Sequence, residues 1–289
     1  MKAHTGIKQY LSKLTGLVRV VGPNYVFTVQ GNSEHTVRIP SDSESCSITA
    51  ICVLPDGQVL LADRNNKTVK LLNQQYRVVS HLDVRTESQD ICQITPSGVA
   101  VAVTYRNRVQ FITVIQGQLA LGKKFQLQHE CTGIAHNQGD LYISSGTALY
   151  KFTLSGKQVC RLYKDTSASA TVRKCAVSPT GDRLYIISYY KLHTLARDGT
   201  LLATYTDPAL DGLDGVHVTP AGQVLVCGTW SHTVLQVGWD GQSKLTTLAT
   251  LATQEDGVRR PWSVCYSSTT SSIIVGQGWD DSILVFRVE

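Results

Sequence analysis

Cationic and aromatic residues recur in short polar segments along this chain: Arg64, Asn65, Asn66 and Lys67; Tyr105, Arg106, Asn107 and Arg108; Tyr189, Tyr190 and Lys191; Trp230 and His232; and Trp279 with Asp280 and Asp281. Arg173, Lys174, Arg259 and Arg260 belong with them, in connections that follow the same period. Exposed rings beside guanidinium and ammonium groups can stack on unpaired bases or anchor a peptide, while the cations pair with phosphates or carboxylates. Asn65 and His232 complete the set of candidate binding residues. The acids Glu87, Asp90, Asp207, Asp211, Glu255 and Asp256 share those connections, so the surface is expected to be positive on one side and to hold tryptophans beside carboxylates on the other.

Chemistry spread this widely needs a scaffold that brings distant loops to one surface, and the glycines give its period. Gly57, Gly98, Gly139, Gly181 and Gly222 are separated by 41, 41, 42 and 41 residues. Most sit in turns such as Pro55-Asp56-Gly57 and Pro220-Ala221-Gly222, where proline pre-sets φ and glycine accepts a positive one. Short β-branched runs flank the turns, and a second glycine series (Gly117, Gly156, Gly199, Gly241) marks another hairpin in each copy. Four strands in a copy of about 40 residues is the unit of a β-propeller. Helical repeats are excluded, because the segments between turns are too short and too β-branched for an amphipathic helix. The expected fold is an all-β, six-bladed propeller over residues 42–289, preceded by a linker and ring-closing strand over 21–41. The last copy, from Trp262, lacks residues for an outer strand. Residues 35–39 (HTVRI) alternate as a strand does, and are expected to pair with the chain end and remove its open edge.

The function classes narrow from here. The net charge of +5 is mild and decides nothing about nucleic acid. Of the eight cysteines, Cys52, Cys92, Cys131, Cys175 and Cys265 fall in or just before inner strands, without any CxxC pair, as buried small hydrophobes of a reducing compartment would. No metal or cofactor is expected. Aligned inner-strand positions offer Cys52, Gln93, Ile134, Ala176 and His217, so His217 reads as a channel-lining structural residue and an enzyme is not expected. Asn66-Lys67-Thr68 matches a glycosylation sequon by chance, and without a secretory signal the expected location is cytoplasmic. Ile7, Leu11, Leu14 and Val18 follow a 4-3-4 spacing, so residues 1–20 read as the end of a coiled-coil helix or a flexible tail.

The repeats resemble NHL repeats, in which a glycine turn, an apolar strand, an Ala-Asp step and a polar Asn-containing loop follow one another. Residues 61–69 (LADRNNKTV) fit this well, and the fifth copy carries Cys227-Gly228 in place of Ala-Asp. The stretch from Gln9 to Asp90 is similar to the C-terminal half of invertebrate tripartite-motif proteins, in particular the molluscan type. That resemblance implies a recognition module of a RING-type ubiquitin ligase that binds a protein substrate on its loop-bearing face and dimerises through an upstream coiled coil. RNA binding in post-transcriptional control is the alternative, and a propeller hydrolase a further one. The chain itself holds no RING or B-box array, so any ligase chemistry is expected to lie outside it.

Overall fold

In a computed structural model the described residues are 22–239 and 244–289, and they form six four-stranded antiparallel sheets. The chain enters through β1 (Val29–Thr36). Blade 1 follows as β2 (Ile48–Val53), β3 (Val59–Asp63), β4 (Thr68–Leu72) and β5 (Val78–Asp83), and blade 2 as β6 (Ser88–Thr95), β7 (Gly98–Val103), β8 (Arg108–Ile115) and β9 (Gln118–Gln126). Blade 3 is β10 (Gly133–Asn137), β11 (Asp140–Ser144), β12 (Ala148–Thr153) and β13 (Gln158–Lys164). Blade 4 is β14 (Lys174–Val177), β15 (Arg183–Ile187), β16 (Leu192–Ala196) and β17 (Leu201–Tyr205). Blade 5 is β18 (Leu213–Val218), β19 (Val224–Gly228), β20 (Thr233–Trp239) and β21 (Leu245–Ala252). Blade 6 is β22 (Pro261–Ser267), β23 (Ser272–Gln277) and β24 (Ser282–Val288), completed by β1 in the order β1-β24-β23-β22. The expected six-bladed propeller is the observed fold. The heptad-like stripe at Ile7–Val18 and the turn at Gly241 lie outside the described residues.

Six apolar clusters hold the ring, one between each pair of adjacent blades. This explains why middle strands read as unbroken apolar runs. In β3, Val59 and Leu61 pack toward blade 6 while Leu60 and Ala62 pack toward blade 2. In β7 the valines at 99, 101 and 103 face blade 1, and Ala100 and Ala102 face blade 3. A strand buried on both faces has no polar side to alternate with. The outer strands have one open side and alternate accordingly, as in the half-buried and exposed pattern of β5.

Ring closure at the chain end occurs as expected, through a different segment from the expected 35–39. The pairing strand is β1, and only His35 and Thr36 of the predicted segment belong to it, opposite Ile283 and Ser282. Val37 leaves the sheet and is fully buried between blades 6 and 1, so its place in the alternation reflects a core contact and not a sheet edge. The strand that does pair, VQGNSEHT, is an outer one and mostly exposed, so it carries no apolar signal. Residues ahead of it also dock. Phe27 stacks on Tyr266 with ring centroids 5.1 Å apart, and its N–H donates to Gln236 Oε1 at 2.9 Å.

A buried lysine pins the entering chain to blade 1. Lys70 Nζ is fully buried and donates to Asp42 Oδ2 (2.6 Å), Asp63 Oδ2 (2.8 Å), the Val37 carbonyl (3.0 Å) and Cys46 Sγ (3.3 Å). Burial pulls the Lys70 pKa down, and the neighbouring Asp63 and Asp42 more than offset it, so the ammonium is held above its ordinary range. The Asp of the Ala62-Asp63 step is therefore structural: it also accepts the Ser47 N–H at 3.0 Å and Asn66 Nδ2 at 2.9 Å.

Candidate functional site

In each blade the loop from second to third strand and the connection to the next blade lie on one face, and all sixteen sequence-selected residues sit there or at the first residues of the strands beneath it. Lys67, Tyr105, Arg106, Tyr190, Lys191 and Arg259 are exposed. Others meet in arginine–aromatic pairs. The Arg173 guanidinium lies 4.0 Å from the Tyr189 ring centroid, and that of Arg64 lies 5.9 Å from Trp262. The Arg260 guanidinium sits between two exposed indoles, 5.8 Å from Trp230 and 5.3 Å from Trp279. Blade 3 contributes neither a ring nor a cation at residues 145–147 (Ser-Gly-Thr).

The backbone of this cluster is strained. Trp279, His232 and Arg260 have φ of 56°, 55° and 46°, in the left-handed region that bulky residues rarely occupy. Trp279 is held there by its N–H donating to Ser47 Oγ (3.0 Å) and by an edge contact with Trp262, centroids 4.8 Å apart. The Arg260 N–H donates to His232 Nδ1 at 2.9 Å. Gly278 is required beside it, because a Cβ there would stand 2.7 Å from the Trp262 ring.

Several sequence-selected residues are tied up by the protein itself. Arg64 Nε pairs with Glu87 at 2.5 Å, Asn65 Nδ2 donates to the Ser45 carbonyl at 2.9 Å, and Arg108 donates to the Val84 carbonyl at 3.0 Å. The acids are tied too. Asp281 pairs with Arg38 at 2.9 Å and accepts the Cys46 N–H, Asp256 accepts the Thr253 N–H in a short 3-10 turn, and Asp207 accepts from Tyr205 and Ala209. The expected acidic side of the face is thus largely a set of structural contacts.

At the centre of the face a small polar pocket opens over the channel, lined by Thr49, Arg64, Gln89, Thr132, Arg173, Lys174, Asp214 and Trp262. Residues 49, 89, 132, 174, 214 and 262 stand at or beside the heads of the inner strands, one per blade. Thr49, Gln89, Thr132, Asp214 and Trp262 were missed by motif reasoning; their common repeat position is the signal that could have found them. Arg173 forms an ion pair with Asp214 and donates to the Leu213 carbonyl at 3.1 Å.

Below the pocket runs a channel of about 730 Å³ lined by the inner strands, including the expected Cys52, Gln93, Ile134, Ala176 and His217. Burial pushes its thiols (Cys52, Cys92, Cys175, Cys265) well up and the His217 imidazole down to about 4. The thiols are therefore protonated and His217 neutral near pH 7. Among the described residues, only Asp42, Cys46 and Asp63 bring three ligating atoms together, and the Lys70 ammonium stands among them where a cation would.

No protein-family model matches this sequence, and no curated protein matches it. Solved structures do. A protein of unknown function from Bacteroides thetaiotaomicron aligns with a TM-score of 0.68 at 11% identity, over 94% of this chain and 75% of its own. Virginiamycin B lyase from Staphylococcus aureus aligns with a TM-score of 0.65 at 10% identity, over 91% of this chain and 99% of its own. A streptogramin B lyase gives 0.62 at 11% identity, over 91% and 98%.

The likeness is one of fold. None of the three matches points to tripartite-motif proteins in particular. Two are named as lyases, which corrects the expectation that this chain is not an enzyme: propellers of this build carry catalysis elsewhere, and missing hydrolase motifs do not exclude it. No helix among the described residues is long and apolar enough to cross a membrane.

Proposed function

We propose that the loop-bearing face is a recognition surface for a protein segment carrying carboxylates, and that the propeller serves as the substrate-recruiting arm of a tripartite-motif type ubiquitin ligase. The observation that carries this reading is Arg260 between the exposed indoles of Trp230 and Trp279. Trp and Arg are the side chains that dominate protein-binding hot spots, and here they are pre-positioned on a rigid scaffold. The guanidinium stands 5.8 and 5.3 Å from the two ring centroids, where it would compete with a stacking nucleobase. Structural contacts hold Glu87, Asp207, Asp256 and Asp281, while Lys67, Arg106, Lys191 and Arg259 are exposed beside the exposed acids Asp211 and Glu255, so the cations outnumber the acids left open and suit a partner's carboxylates. Presentation of two propellers on one coiled coil would add avidity of about a hundredfold where both engage.

RNA is the competing ligand, and one experiment separates the two. The purified chain is titrated with single-stranded and structured RNAs across a salt series, in parallel with panning of a displayed peptide library. Enrichment of acidic peptides, with RNA binding weak, supports protein recognition. Tight RNA binding that falls log-linearly with salt would replace it.

A further inference from the structure

Among the described residues two lysines are buried to nine-tenths or more, and they are treated differently by their surroundings. Lys70 has two carboxylates within 2.8 Å. Lys174 is 9% exposed, and its Nζ donates to the Thr49 carbonyl across the mouth of the channel. Among the described residues no carboxylate stands within ion-pair distance of it. Asp90 faces the ammonium from the channel wall, but its oxygens accept the Ile91 and Ile134 N–H groups at 3.0 and 2.9 Å. A buried charge is ordinarily paired, because its desolvation is otherwise uncompensated. Lys174 lines the pocket of the loop-bearing face, where Arg64, paired through Nε with Glu87, and Arg173, paired with Asp214, add two guanidinium groups, and Thr49, Gln89 and Thr132 add polar side chains. Trp262 lines it as well, and its indole N–H is buried with no acceptor. Asp214, the one carboxylate of the lining, is engaged by Arg173 and by Thr229 Oγ1 at 2.7 Å.

We infer that this pocket binds a single oxyanion, with Lys174 as its floor and Arg64 and Arg173 as its walls. The pocket measures about 70 Å³, which suits one such group and not a larger molecule. Resting on the protein-recognition reading, the group is a carboxylate of the bound segment, anchored at the centre while the indoles grip at the rim. The anion supplies the partner that Lys174 lacks, much as Asp42 and Asp63 do for Lys70.

The test is thermal unfolding of the full chain against sodium formate and sodium phosphate, with chloride at matched ionic strength, for the wild type and Lys174→Met. The wild type is expected to show a saturable rise in melting temperature with formate. Lys174→Met is expected to melt at or above the anion-free wild type and to show no such rise. Arg64→Gln, which keeps the lysine, is the second variant and is expected to raise the half-saturating formate concentration at least threefold. A rise with phosphate alone would overturn the carboxylate assignment. A wild type that responds no more to either oxyanion than to chloride, or a Lys174→Met response equal to wild type, would overturn the pocket itself. Formate reports on the pocket without engaging Trp230 or Trp279, so its failure leaves protein recognition at the rim to be judged separately.

Discussion

Replacing Asp42 with alanine should loosen the ring where the chain enters it. The substitution removes one of two carboxylates from the fully buried Lys70, at 2.6 Å, together with the acceptor of the Ile39 N–H at 2.9 Å. Breaking a buried pair by deleting one partner costs about 3–5 kcal/mol. Asp63 remains at 2.8 Å, so the lower end applies, about 3 kcal/mol. For a large single domain each kcal/mol moves the melting temperature by about 2–4 °C, so a fall of about 6–12 °C is expected. Equilibrium urea unfolding followed by tryptophan fluorescence measures the free-energy loss and a thermal melt the shift in melting temperature, and Lys70→Met is the control. That variant leaves Asp42 and Asp63 facing each other without a cation and should cost at least as much. A loss below about 1 kcal/mol for Asp42→Ala would show that the network does not hold the closing segment, and that β1 alone closes the ring.

His217 sets part of the acid limit. Its pKa of about 4 in the folded state lies below the ordinary 6.5, so the unfolded chain takes up the proton first. Stability should fall as pH drops from about 6.5 to 4, by at most about 3 kcal/mol and by less where the channel admits water. His217→Gln should flatten that limb in pH-dependent urea unfolding; an unchanged limb would assign it to other groups. Cys160 is the exposed cysteine of the eight, while Cys92 is half-buried and the other six are buried. A thiol-reactive dye should label one fast thiol in the native protein and eight after unfolding, and two or more fast thiols would mean that the channel wall opens.

The fold was legible because its signals are local and repeated: Gly57, Gly139, Gly181 and Gly222 take the positive φ their turns need, while Gly98 keeps the period but opens β7 without one, and middle strands packed on both faces must be apolar throughout. Residues 35–39 misled because Val37 is apolar for a contact between blades, while the pairing strand is exposed and polar. The site was legible in part. Turn position alone placed Arg260, Trp230 and Trp279 on one face, but side-chain reach decides what meets what. Asn65 and Arg108 proved to be bonded to the backbone, and Arg64 to Glu87. The central pocket was hidden because its members are unlike one another in chemistry and share only their place at the inner-strand heads. Enzyme chemistry could not be judged from missing motifs, since propellers with no more than about a tenth of their residues in common with this chain include lyases.

The central claim is that the loop-bearing face recognises a protein segment through the Trp230–Arg260–Trp279 cluster. The most direct test is the affinity of a library-selected acidic peptide for the wild type and for a variant carrying Trp230→Ala and Trp279→Ala, with melting temperature measured alongside. The expected result is a loss of about thirtyfold or more, the scale of a hot spot of about 2 kcal/mol, with the fold intact. Undiminished binding by a well-folded variant would contradict the claim and move the recognition surface elsewhere on the propeller.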